Sequence, residues 1–391
     1  MSTSDHLQPD SRPGHDWSPS GWRAVPTSQQ PVYEDPEALA KAVSSLRRLP
    51  PLVTSWEIDR LKRQIAEAVE GRRFLLQGGD CAERFDECAS EPIAARLKIL
   101  LQMSLVLAHG GRRRVIRVGR FAGQYAKPRS EPTETRDGVE LPAYRGDNVN
   151  APAFDAVARA ADPERLIEGH ARSALTLNFI RSLIDGGFAD LHHPEYWDLD
   201  FASHSPRGGE YQRMVESIGE ALRFMESLAG KQVGEMSQVD FFSSHEALLL
   251  EYEEALTRQV PHRPGWWNLA THFPWIGLRT ADPEGGHVAY MAGIRNPIGV
   301  KVGPGMSVER LVALVERLDP DREVGRLTLM HRFGHAGIDA GLPGMIEAVA
   351  RTGSRPLWVC DPMHGNTRAV VPDSGPLAGK TVKTRSFDDI L

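Results

Sequence analysis

The sequence predicts an α/β protein built on a parallel sheet, and two features carry this prediction. From about residue 71 onwards, short apolar runs alternate with amphipathic stretches, a pattern that indicates parallel strands joined by helical crossovers. Glycine-rich or charged segments follow several of the apolar runs, where the carboxyl ends of parallel strands form a functional mouth. This pattern allows two architectures, a doubly wound open sheet and a (β/α)₈ barrel.

Three regions of the chain differ in composition. Residues 1–33 are rich in proline and serine, and we expect them to form a disordered polar N-terminus. Residues 34–70 have helical periodicity and are predicted to form an N-terminal helical extension. Residues 71–391 form the barrel domain, with a polar, mostly helical insertion around residues 150–230.

Seven strands are predicted in the barrel domain, at residues 73–77, 115–119, 240–243, 267–272, 298–302, 326–331 and 357–360. The helices predicted between them lie at residues 92–108, 210–228, 247–258, 308–318 and 342–351. Since a closed barrel of this type has eight strands, the count is one strand short.

Composition excludes several classes of function. The chain has 391 residues, 41% of them hydrophobic and 25% charged, as in a soluble protein with a large core. A net charge of −6 gives no overall attraction to nucleic acid or to a membrane surface, so any anion recognition must be local. We find no apolar run of about 18 residues and no secretory signal pattern. Three cysteines form no disulfide framework in a chain of this size, which predicts a cytoplasmic protein.

The first predicted strand is followed by Gly78, Gly79, Asp80 and Cys81. Two glycines allow the backbone to approach a ligand closely, and the cysteine lies at the carboxyl end of a strand. A lone cysteine is more often a small core side chain. In this position, a role for Cys81 as a ligand or nucleophile is an equal alternative.

The second predicted strand leads into a basic loop that contains Arg120 and the sequence Lys127-Pro128-Arg129-Ser130. Guanidinium groups bind phosphate in a bidentate manner, and lysine adds a point charge. A solvated basic loop is the ordinary alternative. Glycine and proline restrict the backbone here, which favours a phosphate site.

Further cations follow the later strands. Arg279 comes after the fourth predicted strand, Lys301 is at the end of the fifth, and Arg332 follows the sixth. Each of these cations alone is most simply explained as a solvent-exposed side chain at the end of a strand. Together with Arg120 they would converge on one mouth, which predicts a strongly anionic, phosphorylated ligand. Lys127, Lys301 and His272 are the candidate catalytic groups.

The last predicted strand runs into Cys360-Asp361-Pro362-Met363-His364. An imidazole at this edge, together with the Cys81 thiolate, suggests a divalent metal of the Mn, Fe, Co or Zn type. Two ligands do not complete a site, and one or two carboxylates must join them. His331 and His335 are nearby in sequence, but structural or substrate-facing roles suit them better.

Several long motifs then give the chain a family resemblance over residues 30 to 391. In order along the chain they are QGGDCAERF, RVGRFAGQYAKPRS, LPAYRGDNVN, HHPEYWDLDF, SSHEALLLEYE, GVKVGP, GRLTLMHR, CDPMHGNT and KTRSFD. The chain resembles the class II 3-deoxy-D-arabino-heptulosonate 7-phosphate (DAHP) synthases, the first enzymes of the shikimate pathway. The resemblance implies a (β/α)₈ TIM-type barrel and a transferase that condenses phosphoenolpyruvate with erythrose 4-phosphate and releases phosphate. The reaction would serve either aromatic amino-acid biosynthesis or a secondary-metabolite branch.

The resemblance also assigns residues. It implies metal ligation by Cys81 and His364, with Mn or Co as the ion. It implies that the aldose phosphate is bound by the Lys127–Ser130 loop. The residues that it implies for phosphoenolpyruvate are Arg120, Leu278, Arg279, Lys301 and Arg332. We expect a homo-oligomer that acts on these two small molecules, with no nucleic acid or membrane partner.

The sequence departs from the family pattern in two places. Leu278 stands where the family commonly has a glutamate, which matters if that carboxylate orients water or an arginine. The family also continues beyond KTRSFD with a strand and helix that bring a glutamate and an aspartate to the metal. We therefore hypothesise that this chain is truncated, with the eighth strand missing and the metal held weakly.

Two alternative functions stay open at this level. A related condensing enzyme could use another aldose phosphate or an amino-sugar phosphate, and Leu278 is the reason to keep this alternative. A truncated, non-catalytic homologue could bind phosphoenolpyruvate or a partner subunit without turnover. Measuring the loss of phosphoenolpyruvate with a panel of aldehydes distinguishes the first alternative from a DAHP synthase. Thermal stabilisation by phosphoenolpyruvate without product formation would identify the second.

Overall fold

The computed structural model describes residues 17–186, 240–376 and 378–390, together with several helical positions between 208 and 220. The HHPEYWDLDF motif and most of the helix predicted at 210–228 lie outside the described residues. The described part of the chain contains one large sheet and three two-stranded sheets.

A seven-stranded sheet forms the centre of this part, and all of its neighbouring strands are parallel. In spatial order the strands are β1 (Arg73–Gly79), β2 (Arg114–Arg120), β5 (Phe242–Glu246), β8 (Phe273–Ile276), β9 (Ile298–Val302), β10 (Leu327–His331) and β11 (Leu357–Cys360). Three antiparallel pairs lie outside this sheet: β3 (Thr133–Arg136) with β4 (Val139–Pro142), β6 (Thr257–Val260) with β7 (Arg263–Asn268), and β12 (Arg368–Val370) with β13 (Val382–Thr384). The parallel sheet with its helices confirms the TIM-type α/β fold class. Among the described residues the sheet has seven strands, the number predicted from the sequence, although the fourth is formed by a different segment.

The helices of the described residues are α1 (Pro36–Arg48), α2 (Ser55–Val69), α3 (Ser90–Gly111), α4 (Ala156–Arg159), α5 (Glu164–Asp185), α6 (Leu250–Ala255), α7 (Gly286–Gly293), α8 (Val308–Leu318), α9 (Ile338–Arg351) and α10 (Phe387–Ile390). Local sequence explains where several of them begin. The side chain of Asp35 accepts hydrogen bonds from two backbone N–H groups of α1. Thr54 and Glu57 form a reciprocal capping box at the start of α2.

The main apolar core lies where β9 and β10 meet their helices. Every residue of both strands is buried, because helices cover both faces of a parallel sheet, and the strands therefore read as continuous apolar runs. The buried face of α8 carries Leu311, Leu314, Val315 and Leu318, spaced by three and four residues as one helical stripe requires. Burying each such side chain stabilises the fold by roughly 1.5–3 kcal/mol.

Helix α2 lies across the amino ends of the strands. Its Glu57 faces His272, just before β8, and its Lys62 pairs with Glu323, which precedes β10. Its apolar side joins one buried cluster with side chains of the edge strands β1 and β11. The carboxyl ends of the strands therefore open on the opposite side of the sheet.

The segment from Trp17 to residue 33 is ordered against the barrel, in contrast to the predicted disorder through residue 33; residues 1–16 lie outside the described residues. Trp22 is buried, and its Nε1 donates a hydrogen bond to Glu254 at 3.0 Å. Trp17 donates from Nε1 to the carbonyl of Ala289 at 2.9 Å. The composition predicted disorder because proline and serine dominate, whereas the tryptophans provide enough apolar area to hold the segment in place.

The predicted fourth strand at 267–272 was wrong. Residues Arg263–Asn268 pair antiparallel with β6 in a hairpin, and the strand that enters the parallel sheet is Phe273–Ile276. Pro274 lies inside this strand and contributes no backbone N–H, which makes the segment a poor strand candidate by sequence pattern. As a result, His272 precedes the sheet strand instead of ending it.

One described helix, α3, is long and apolar enough to cross a membrane by length and composition alone. This is weak evidence, since core helices of soluble proteins pass the same test. Several of its apolar residues are buried in a cluster with β1 and β2, among them Leu97, Leu100 and Leu101.

Candidate active site at the carboxyl edge of the sheet

The carboxyl ends of the seven parallel strands bring together most of the residues predicted for the site. The parallel register places these strand ends side by side along one edge. The side chains found there, in strand order, belong to Cys81, Arg120, Glu246, Arg279, Lys301, Arg332 and His364.

Two of the cations share one aromatic ring. The guanidinium carbon of Arg120 lies 4.8 Å from the centroid of the Trp275 ring, and Lys301 Nζ lies 5.5 Å from it. Burial lowers the pKa of Lys301, and the neighbouring guanidinium groups of Arg120 and Arg332 lower it further against the opposing effect of Asp361. The cation–π contacts with Trp275 stabilise the two positive charges, which would otherwise repel each other. Arg120 and Lys301 together remain suited to binding a multiply charged anion.

Two buried guanidinium nitrogens point to the same ligand chemistry. Nε of Arg120 and Nε of Arg332 are buried and have no hydrogen-bond partner among the described residues. Buried donors are nearly always satisfied in folded proteins, so such atoms indicate a missing acceptor. A phosphate or carboxylate group is the acceptor that arginine binds best.

A chain of polar contacts joins Lys301 to the cysteine–histidine pair. Lys301 Nζ donates to Asp361 Oδ2 at 2.5 Å, and the same oxygen accepts a hydrogen bond from His364 Nδ1 at 2.8 Å. His364 Nε2 lies 3.5 Å from Cys81 Sγ. Asp361 therefore both orients the imidazole of His364 and neutralises the charge of Lys301, a double role that the sequence did not reveal.

The charges of this pair suit metal binding. The hydrogen bond with His364 holds the pKa of the Cys81 thiol below its ordinary value, against the effect of burial. The hydrogen bond with Asp361 raises the pKa of His364, followed by the contact with Cys81. A thiolate and an imidazole are ligands that Mn, Fe, Co and Zn accept, and a carboxylate behind the imidazole is typical of metal-bound histidine.

Cys81 and His364 supply two ligands of such a site. Within the described residues, no group of three or more histidine, cysteine, aspartate or glutamate side chains is positioned to hold a metal ion. The donor chemistry of the pair fits a divalent metal, and further coordination positions would fall to other ligands.

The loop predicted to bind the aldose phosphate adjoins this cluster. Lys127 Nζ lies 5.2 Å from the centroid of the Tyr144 ring, and burial followed by the charge of Arg129 lowers the pKa of this lysine. Ser130 Oγ accepts a hydrogen bond from Arg279 Nη2 at 2.7 Å. Arg129 donates from Nε to the carbonyl of Tyr144 at 2.5 Å, so its guanidinium already serves the loop structure. Pro128 lies between the two cations of the loop.

Glu246 was missed by the sequence-based assignment, although its motif, SSHEALLLEYE, was noted. Its side chain is only 7% exposed, and Oε1 is buried without a hydrogen-bond partner among the described residues. Burial raises the pKa of Glu246 to about 7, despite the nearby charges of Arg120, Lys301 and Arg279. A glutamate that ends a fully buried strand was the available sequence signal.

A buried carboxylate connects the cysteine loop to the basic loop. Glu83 accepts hydrogen bonds from the backbone N–H groups of Ala122, Gly123 and Gln124 at 2.7–2.9 Å. Burial raises the pKa of Glu83, and these three hydrogen bonds oppose that rise. The side chain of Gln124 in turn accepts a hydrogen bond from the backbone N–H of Glu246 at 2.9 Å. Glu83 thus fixes the positions of both loops relative to β5.

His272 is not part of this cluster. It lies at the amino end of β8, where its Nδ1 accepts a hydrogen bond from the backbone N–H of Ser243 at 2.9 Å and its Nε2 is 3.8 Å from Glu57. Burial lowers its pKa, which favours the neutral imidazole. These contacts support a structural role at the end of the sheet remote from the predicted mouth.

Leu278 follows β8 beside Arg279, as predicted. Its side chain is partly buried and packs against the main apolar cluster. Position 278 therefore contributes an apolar core contact and no carboxylate to the site. Glu246 is the buried carboxylate that the structure places among the same cations.

Comparisons with known proteins identify the family of the chain. A family model described as the class-II DAHP synthetase family matches residues 17–391. The chain is similar to the phospho-2-dehydro-3-deoxyheptonate aldolase of Streptomyces coelicolor, with 46% identity over 370 residues that cover 95% of this chain and 80% of that protein. It is also similar to the protein of the same name from Neurospora crassa, with 44% identity over 394 residues that cover 96% of this chain and 79% of that protein. These comparisons give no support to the hypothesis that the chain is truncated. The chain belongs to the class II DAHP synthase family.

Proposed function

We propose that this protein is a transferase that condenses phosphoenolpyruvate with erythrose 4-phosphate to give DAHP and inorganic phosphate. The observation that carries the proposal is the cation cluster of Arg120, Lys301 and Arg332 in contact with the Asp361–His364–Cys81 chain. The cluster suits a phosphorylated enol acid, and the chain of contacts leads from it to a metal-type pair. Family membership supports the same reaction.

Phosphoenolpyruvate is assigned to the cation cluster. The unpartnered Nε atoms of Arg120 and Arg332 provide donors for its phosphate or carboxylate oxygens, and Lys301 adds a charge between them. Arg279 completes the set, with Leu278 next to it in the chain. Four cations around one trianion hold it through the charge changes of the reaction.

Erythrose 4-phosphate is assigned to the loop Lys127–Ser130. The hydrogen bond from Arg279 to Ser130 joins this loop to one of the residues assigned to phosphoenolpyruvate, which supports two adjacent substrate positions. Holding both substrates in one pocket replaces a collision of two anions by a step between positioned groups.

Members of this family generally depend on a divalent metal ion. We assign its ligands in this chain to Cys81 and His364, with Asp361 behind the imidazole, and Mn or Co as the ion. When bound, such an ion acts as a Lewis acid on the aldehyde oxygen.

The chain's own groups supply the proton transfers. Carbon 3 of phosphoenolpyruvate forms a bond to the aldehyde carbon, and the resulting alkoxide oxygen needs a proton, which Lys127 can give because its pKa is lowered. A water molecule then adds at carbon 2, and Glu246, with a pKa of about 7, can accept its proton. The bond between carbon 2 and the phosphate ester oxygen then breaks, the departing phosphate takes up the proton of the carbon 2 hydroxyl, and the keto acid is left.

The test measures loss of phosphoenolpyruvate and release of phosphate with erythrose 4-phosphate, in the presence of Mn²⁺ or Co²⁺. A panel of other aldose and amino-sugar phosphates addresses the alternative substrate that Leu278 keeps open. We expect turnover with erythrose 4-phosphate, and loss of turnover in Arg332→Ala. Preference for another aldehyde would overturn the substrate assignment. Thermal stabilisation by phosphoenolpyruvate without product from any aldehyde would overturn the reaction.

A further inference from the structure

A short N-terminal segment, residues 26–30, makes paired hydrogen bonds with the loop assigned to the aldose phosphate. Nε2 of Gln29 donates to the carbonyl of Arg129 at 3.0 Å, and the backbone N–H of Arg129 donates to Gln29 Oε1 at 2.9 Å. One side-chain amide therefore satisfies both polar groups of one residue in a loop 100 positions away. We call residues 26–30 the clasp.

The same segment contacts two other loops of the site. Oγ of Ser28 donates to the carbonyl of Arg279 at 3.5 Å, and Nε2 of Gln30 donates to the carbonyl of Leu248 at 2.7 Å. Oε1 of Gln30 accepts a hydrogen bond from the backbone N–H of Leu250 at 3.0 Å. The clasp thus joins the loops that follow β2, β5 and β8.

The backbone of Gln29 is held in an unusual conformation. Its φ is 62°, in the left-handed region that residues other than glycine, asparagine and aspartate seldom occupy. Its carbonyl accepts a hydrogen bond from Arg145 Nη1 at 3.2 Å, which helps to hold that conformation. A strained residue in ordered structure is kept by its surroundings and frequently marks a functional constraint.

The clasp has a firm support outside the site. The carbonyl of Pro26 accepts a hydrogen bond from the backbone N–H of Gly286 at 2.9 Å. Earlier in the chain, the buried Trp22 donates a hydrogen bond to Glu254. The segment is therefore anchored on the outer part of the barrel, and its contacts at Arg129 are made from a fixed base.

Fixing the peptide of Arg129 has a direct consequence for its neighbours. Pro128 precedes it, and Ser130 follows it and bonds to Arg279. Since Arg279 is itself contacted by the clasp at its carbonyl, both partners of that bond are held by one segment. The position of Ser130 beside Arg279 therefore depends on Gln29.

We propose that the clasp positions the aldose-phosphate loop for binding, with Gln29 as a positioning residue that acts through Arg129 and Ser130. This inference rests on the proposed function, because the ligand of the loop is assigned there. The clasp contacts the loop of the second substrate through a paired amide. Among the described residues, its hydrogen bonds reach the residues assigned to phosphoenolpyruvate only at the carbonyl of Arg279. The effect of its loss falls mainly on the aldose phosphate.

The test uses Gln29→Gly in the full-length chain, since glycine removes the amide and adopts the left-handed φ without strain. We expect the KM for erythrose 4-phosphate to rise about ten-fold, the size that two hydrogen bonds of ordinary strength provide. The KM for phosphoenolpyruvate and the melting temperature should stay close to those of the wild type. Gln259→Ala, which truncates an exposed glutamine on β6, is the matched control and should change neither KM.

A second measurement is independent of turnover. In the folded protein the backbone N–H of Arg129 donates a hydrogen bond to Gln29 Oε1. Hydrogen exchange at this amide should therefore accelerate in Gln29→Gly and stay slow in Gln259→Ala. Unchanged exchange together with an unchanged KM for the aldose would overturn the inference. An equal rise in both KM values with a lowered melting temperature would overturn it in favour of a purely structural segment. A wild-type protein without turnover would overturn the proposed function instead, while the exchange experiment still tests the contact.

Discussion

The substitution Glu246→Gln tests two properties of this buried carboxyl group separately: its effect on the free energy of unfolding and its role in the reaction. The carboxyl group has an ordinary pKa of 4.5, and burial raises it to about 7 in the folded protein. Between these pH values the folded protein holds a proton that the unfolded chain has released. The contribution of Glu246 to stability is therefore most favourable below pH 4.5 and decreases as the pH rises through 7.

The size of this effect follows from the two pKa values. Ionising the buried group in the folded protein costs about 3 kcal/mol above pH 7, at about 1.4 kcal/mol for each pH unit between the two values. Glutamine has nearly the same shape and cannot ionise. We therefore expect Glu246→Gln to be more stable than the wild type at pH 8 by up to about 3 kcal/mol, with little difference at pH 4.5.

Urea unfolding of both proteins at a series of pH values measures this difference, provided that the m-values agree. Glu347→Gln, at an exposed position of α9, serves as the control and should follow the wild type at every pH. Turnover should decrease in Glu246→Gln, by a factor of about 10²–10⁴ for a lost general base. A stability difference that is the same at pH 5 and pH 8 would refute the assignment of a raised pKa. Full turnover in the variant would refute the role in water addition.

Three further substitutions test other parts of the site. Asp361→Asn should weaken Mn²⁺ binding about 10–100-fold, because the imidazole of His364 loses the carboxylate behind it, and calorimetric titration that finds equal affinity contradicts this. Glu83→Gln should lower the free energy of unfolding by about 1–3 kcal/mol, since three backbone donors lose a charged acceptor; an unchanged urea midpoint speaks against it. His272→Gln should leave the affinity for phosphoenolpyruvate within two-fold of the wild type, roughly the precision of such a comparison, and a large loss would return His272 to the site.

The parallel sheet could be predicted because buried strands produce a simple pattern. Strands such as β9 and β10 are covered on both faces, so their apolar runs stand out against the polar loops that follow. The pattern failed for β8, where Pro274 disguises the strand and a more strand-like tryptophan run precedes it. That error moved His272 from one end of the sheet to the other.

The cations of the candidate site could also be predicted, since each follows a recognisable strand. Glu246 and Asp361 could not, although both lie in noted motifs, because their significance comes from burial and from side chains that other strands supply. Gln29 was beyond reach for a different reason. It lies in a polar segment predicted to be disordered, and its partner is 100 positions away in the sequence.

The electrostatics of the site explain why buried acids accompany its cations. The side chains of Arg120, Lys301 and Arg332 converge at the site, so the electrostatic potential there is positive although the net charge of the chain is −6. With no ligand, burial lowers the pKa of Lys301, repulsion from Arg120 and Arg332 lowers it further, and Asp361 compensates by a direct hydrogen bond. A trianionic substrate relieves the same repulsion and favours the neutral form of Glu246. The site is thus arranged so that binding phosphoenolpyruvate favours the charged form of its lysine. The positive charge that develops at carbon 2 then favours the ionised form of Glu246, which accepts a proton as water adds.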